Sequence, residues 1–273
     1  MTLSKHVISV AVFNCGYTAP SIQNARGQFH EIFAALLTPA LERVCHNNLE
    51  LPNVTLDIKG WDTVNQEYPP TLDKIDAIIV TGSPNGAYED LEWIRTLDRH
   101  LADIYRRRPS IKMYGSCFGH QIICQALFKD QGAAVAKDPS GWELGVHTIN
   151  ASDEFLERFS SLLPSEALRI QFLHADHVIF TNGSVPRGIH LIGSTSQCQN
   201  QGIYQPGRIL TLQGHPEFDQ FITTECLKLV GQRVGWEEEF RDAAVASATV
   251  NDDAAIAANI IVAFFLGLDV TNT

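Results

Sequence analysis

The strongest constraint on this chain is an alternation. Short, almost wholly apolar runs rich in Val and Ile are separated by longer stretches with apolar residues at helical spacing. The runs are residues 7–13, 54–58, 77–81 and 111–114. Strands apolar at successive positions have both faces buried, as in a parallel sheet covered by helices on each side. Between them, residues 25–45 place Phe29, Ile32, Phe33, Leu36 and Leu37 on one stripe, and residues 91–107 do the same with Trp93, Ile94, Leu97, Leu101 and Ile104. Such stripes are the core faces of amphipathic helices. Pro39 is expected to kink or interrupt the first. The pattern predicts an α/β fold with a mostly parallel central sheet.

The second half reads differently. Residues 168–174, 189–193, 202–204 and 208–213 look like shorter strands with few helices between them, so this half is expected to be partly antiparallel. Helices are expected over 218–230, 237–248 and 252–266. The last carries Ile256, Ile260, Ile261, Val262, Phe264 and Phe265 and should lie against the body of the protein. No repeat or linker divides the 273 residues, so one domain is the simpler reading, with a core over about 7–234 and a helical extension over about 236–267.

Composition narrows the partners. With 20 basic against 31 acidic residues the formal charge is −11, and the one basic run, Arg106 to Arg108, is short. Phosphate binding draws on clustered Lys and Arg, so nucleic acid and anionic membranes are disfavoured. No segment approaches the roughly eighteen apolar residues of a membrane span, and no signal-peptide pattern follows residues 7–13. Cys15, Cys45, Cys117, Cys124, Cys198 and Cys226 are widely scattered with no Cys-x-x-Cys pair. That spacing reads as reduced thiols in a cytoplasmic compartment, and neither a metal nor a cofactor is expected.

In open α/β sheets the chemistry gathers beyond the carboxyl ends of the strands. After residues 111–114 comes Gly115-Ser116-Cys117-Phe118-Gly119-His120-Gln121 and then an apolar helix. This is a Gly-x-nucleophile-x-Gly elbow with cysteine at its centre; the glycines let the strand turn sharply into the helix. A helix N-terminus favours thiolate over thiol. After residues 208–213 comes Gly214-His215-Pro216-Glu217-Phe218. Pro216 biases His215 toward extended geometry, in which His215 and Glu217 share a side. A carboxylate beside imidazole fixes its tautomer and stabilises its charged form, which completes a Cys117–His215–Glu217 triad. After residues 77–80 comes Thr81-Gly82-Ser83-Pro84. The amides of Ser83 and Phe118 are the expected oxyanion donors.

These blocks resemble class I glutamine amidotransferases of the triad type, over about residues 75–218. The two signature blocks are those around Cys117 and His215; the turn at Gly82-Ser83-Pro84, followed by Tyr88, Asp90 and Trp93, is the weaker third. The resemblance implies a flavodoxin-like three-layer sandwich. It also implies a γ-glutamyl thioester on Cys117, proton transfer by His215, and Glu217 orienting that ring. Gln121 would contact the substrate, and Gly82, Trp142, Glu143, His174 and Asp176 would line its pocket. A metal held by His174, Asp176 and His177 is improbable.

No synthetase follows the glutaminase-like part, and the second block reads Gln-Gly-His-Pro-Glu where many pathway enzymes have Phe-His-Pro-Glu. The resemblance therefore favours a stand-alone hydrolase or peptidase acting on a small γ-glutamyl compound, similar to γ-glutamyl peptidases. The alternatives are a glutaminase subunit supplying ammonia to a separate synthetase and a non-catalytic binding protein on the same scaffold. The apolar final helix could also serve a homodimer or other partner interface.

Overall fold

The computed structural model describes residues 6–48, 51 and 53–269. The ends of the span read above as one domain, residues 1–5 and 270–273, lie outside them. The chain begins with β1 (His6–Asn14), α1 (Pro20–Arg26), α2 (Phe29–His46), β2 (Val54–Asp62), β3 (Ala77–Val80) and α3 (Glu92–Arg107). It continues with β4 (Lys112–Ser116), α4 (Phe118–Phe128), β5 (Ala133–Lys137), β6 (Glu143–Ala151), α5 (Asp153–Phe159), β7 (Ala167–His174) and β8 (Asp176–Phe180). Then follow β9 (His190–Leu191), β10 (Gly193–Ser194), β11 (Ile203–Gln205), β12 (Ile209–Leu212), α6 (Gln220–Val234), α7 (Glu238–Ala248) and α8 (Ala254–Leu266).

The central sheet has the order β2-β1-β3-β4-β12-β11-β9. Its first five strands are parallel; β11 then pairs antiparallel with β12, and β9 antiparallel with β11. Counted by themselves, the parallel strands follow the 2-1-3-4-5 order of flavodoxin-like sheets. Side-chain alternation sorts the interior into two cores. Val10, Val12 and Ile79 face one way, onto Phe33 and Leu37 of α2 and Ile261 and Phe264 of α8. Ala11, Phe13, Ile78 and Val80 face the other, onto Leu97 and Leu101 of α3 and Ile122 and Ile123 of α4. Burial on both faces is what made β1, β3 and β4 read as unbroken apolar runs; β2, expected to be buried likewise, is the edge strand and only half-buried.

Several elements differ from the sequence reading. The helix expected over 25–45 is broken at Gly27, not at Pro39. Gly27 has φ +83° and ψ −161°, a region open in practice only to glycine. Gln28 and Glu31 then start α2 with a reciprocal capping box. Pro39 sits inside α2 on its solvent face, where water can satisfy the carbonyl its missing N–H leaves free. The strand expected at 189–193 is two strands in different sheets, β9 in the central one and β10 beside β6. Residues 133–137, for which no strand is expected from the sequence, form β5, and Glu143, expected in the pocket lining, opens β6. β5 pairs only with β8, and β6 lies between β7 and β10. All six cysteines are free thiols. Among the described residues no helix is long and apolar enough to cross a membrane.

Candidate active site

The site is built where β3, β4 and β12 end side by side. The parallel register that sets Leu212 beside Ser116 also sets the residues after β12 beside Cys117, and the Cys117 amide donates to the Leu212 carbonyl at 2.8 Å. Cys117 has φ +52° and ψ −107°, one of three non-glycine residues with positive φ among those described. That backbone is strained, and it turns the chain directly from β4 into α4. The flanking glycines are sterically required. A Cβ on Gly115 would meet the Gly119 carbonyl carbon at 2.6 Å, and one on Gly119 would collide with the Val80 carbonyl oxygen.

His215 is carried in by the segment after β12, whose His215 amide donates to the Gln171 carbonyl of β7 at 2.7 Å. Its Nδ1–H donates to Glu217 Oε1 at 2.8 Å, and Cys117 acts electrostatically on the same ring. Both His215 and Glu217 are buried. Burial works against charge on the imidazole, but the interactions with Cys117 and Glu217 outweigh it and push His215 up to about 10. Phe218 stacks flat on the imidazole at 4.1 Å between centroids, and Phe29 of α2 lies beyond Phe218 at 6.4 Å.

The third wall is the turn after β3. A Cβ on Gly82 would sit 2.8 Å from His215 Cε1, so this turn runs directly over the ring. Ser83 follows it. Phe118 is the first residue of α4, so its N–H has no carbonyl partner within the helix. Its ring is buried against Trp93 at 5.6 Å. Cys117, His215, Glu217, Gly82 and Phe118 are thus gathered from three strand ends.

The other expected pocket residues divide. Gln121, one turn into α4, donates through Nε2 to the Asp176 carbonyl at 3.0 Å and to Gln213 Oε1 at 3.2 Å. Tyr88 donates to the Asp176 carboxylate at 3.4 Å, and burial raises that carboxyl above its ordinary range. Glu143 and His174 turn inward to each other instead, with Nε2 to Oε2 at 2.8 Å. Thr195 and Gln201 also donate to Glu143, at 2.5 and 2.7 Å. Burial alone would raise the Glu143 carboxyl, yet these donors hold it below its usual value. The pair therefore braces the wall from behind. Trp142 packs edge-on against Trp236, between α6 and α7, at 5.2 Å. His177 lies 3.5 Å from Asp138, so His174, Asp176 and His177 point to three different partners.

One residue escaped the sequence reading. Ser116 is buried in the elbow itself, and its hydroxyl lies 2.8 and 3.0 Å from the two oxygens of Glu217. Its position before Cys117 was visible; its contact with a side chain about a hundred residues downstream was not.

Comparison with known proteins identifies the family of the chain. The profile of the family described as glutamine amidotransferase class-I matches residues 40–225. A glutamine amidotransferase-like protein of Schizosaccharomyces pombe is 30% identical over 255 residues, covering 92% of this chain and 96% of its own. Gamma-glutamyl peptidase 3 of Arabidopsis thaliana is 27% identical over 192 residues, 67% of this chain and 73% of its own. The crystal structure of a glutamine amidotransferase from Thermotoga maritima shares the fold, with a TM-score of 0.60 at 18% identity over 97% of both chains. The chain belongs to the class I glutamine amidotransferase family.

Proposed function

We propose that the chain is a cysteine-dependent hydrolase of small γ-glutamyl compounds, folded throughout as a single unit and working through Cys117, His215 and Glu217. The observation that carries this reading is the hydrogen bond between the Glu217 carboxylate and Nδ1 of His215, on whose ring Cys117 acts from the strained N-terminus of α4. The Cys117 sulfur attacks the γ-carbonyl carbon, and the amides of Ser83 and Phe118 receive the developing oxyanion. The carbon–nitrogen bond breaks as the imidazolium of His215 gives its proton to the leaving amine. Water then attacks the thioester while His215 takes a proton from it, releasing glutamate and restoring the thiol. Glu217 keeps the ring in the required tautomer throughout. Gln121, Asp176 and Tyr88 border the substrate side.

Support for a γ-glutamyl substrate comes from the family and from the plant γ-glutamyl peptidase among the relatives. The test is mass spectrometry of the purified chain after exposure to glutamine, glutathione and glutathione conjugates, with glutamate release measured in parallel. A γ-glutamyl mass on the Cys117 peptide and glutamate release abolished by Cys117→Ala are expected. Equal glutamate release by wild type and Cys117→Ala would overturn the reading. Activity on glutamine alone that rises only with an added synthetase would replace it with the ammonia-supplying alternative.

A further inference from the structure

Glu217 is a carboxylate with its side chain fully shielded from water, and a buried charge of this kind needs donors. Among the described residues it has two. His215 Nδ1 donates to Oε1 at 2.8 Å. The Ser116 hydroxyl lies 2.8 Å from Oε1 and 3.0 Å from Oε2, and it is the only donor that reaches Oε2. The hydroxyl has other neighbours, the Gly214 carbonyl at 3.3 Å and His215 Nδ1 at 3.5 Å. Both are longer contacts, and Nδ1 already carries the proton it gives to Glu217. The single hydroxyl proton is therefore best placed when shared across the carboxylate, where charge assistance makes the bond stronger.

We propose that Ser116 is a positioning residue for the site: its hydroxyl supplies the donor that Glu217 Oε2 otherwise lacks, and so aims Oε1 at His215 Nδ1. The relay then has four members, Ser116, Glu217, His215 and Cys117, with Ser116 and Cys117 adjacent in the chain and on opposite ends of the chain of contacts. One elbow thus supplies both the attacking sulfur and the group that steadies the far end of its activating pair. This rests on the reading of Cys117 as the nucleophile.

The remaining titratable groups around Glu217 do not take over this role. Tyr114, two residues earlier on β4, is held protonated by burial and by the Glu217 charge itself. Cys226, on α6, is pushed up to about 12 by burial. Both are held neutral, so neither is an ion partner for Glu217, whose hydrogen bonds come from His215 and Ser116.

The test uses the full chain and a reaction that needs no γ-glutamyl substrate, alkylation of Cys117 by iodoacetamide, followed by mass spectrometry of the Cys117 peptide across pH. In Ser116→Ala the acid-side onset of alkylation is expected to move to higher pH, because a carboxylate no longer aimed at Nδ1 stabilises the imidazolium facing the sulfur less well. Steady-state turnover of a γ-glutamyl substrate should fall at least about tenfold with KM nearly unchanged. Ser116→Thr, which keeps the hydroxyl, should restore the alkylation profile. In a Glu217→Gln background, Ser116→Ala should cost little more. An unchanged alkylation profile in Ser116→Ala, or an equal loss in both backgrounds, would overturn the proposal. Loss of the glutamyl activity alone, with the alkylation shifts intact, would count against the substrate reading and leave the role of Ser116 standing.

Discussion

At Gly82 one added carbon would sit 2.8 Å from His215 Cε1, closer than real side chains approach. His215 cannot retreat, because Phe218 is stacked on its ring and Glu217 holds Nδ1. Gly82→Ala should therefore displace the imidazole, lowering kcat/KM by about a hundredfold for a misplacement near an ångström. It should also cost about 1–3 kcal/mol of stability from overpacking, measured by urea unfolding. The charge on His215 makes a second prediction. Its folded value, about 10, lies above the ordinary histidine value near 6.5. The charged pair accordingly contributes its full stability below the unfolded value and loses it as pH rises through the folded one. The stability difference between wild type and Glu217→Gln should shrink from about pH 6 toward about pH 10. In Cys117→Ala the sulfur that helps raise His215 is gone, so NMR titration should find His215 lower than in wild type.

At the scale of the element, α1 and α2 are separated by the backbone of one residue. Gly27 holds φ +83° and ψ −161°, and a Cβ there would collide with the Glu31 side chain that completes the capping box of α2. Gly27→Ala should destabilise the protein by about 1–3 kcal/mol, read from denaturant unfolding. Gly27→Asn should not rescue it, since Asn tolerates the left-handed helical region and not this extended one. The helical stripe from Phe29 to Leu37 was legible because periodicity survives across α2. The break before it was not, because a lone glycine at the end of a periodic stretch also fits a helix interior. β5 and β8 were illegible for a related reason: they pair only with each other, and their half-buried residues leave no two-residue alternation strong enough to read.

At the scale of the whole molecule, α8 settles a question its composition left open. An apolar helix near the end of a chain can cover its own protein or a partner. Here eight of its thirteen residues are buried, and Ile261 and Phe264 lie in the core shared with α2 and the sheet. Arg169 grips Asp253 just before the helix with two bonds, at 3.1 and 2.9 Å, and Lys112 donates to the Phe264 carbonyl at its end at 2.6 Å. Deleting residues 254–269 should therefore leave an apolar trough and an aggregating protein, seen by size exclusion and loss of a cooperative thermal transition. A smaller, well-folded species would show that α8 is dispensable to the core. Ile261→Ala, which leaves a cavity there, should cost about 2–5 kcal/mol.

Local physics in the sequence was enough to determine the alternation of buried strands and amphipathic helices, the glycine-flanked cysteine, and the pairing of His215 with Glu217 two residues away. Each of these is written in neighbouring residues, through side-chain period, backbone freedom or an extended dipeptide. What only the tertiary structure decided was which distant groups meet: Cys117 with His215 across adjacent strands, Ser116 beneath Glu217, Gly82 over the imidazole, and Glu143 turned inward to His174. Those meetings depend on sheet order and register, set by the simultaneous packing of both faces, and no local stretch of chain carries that information.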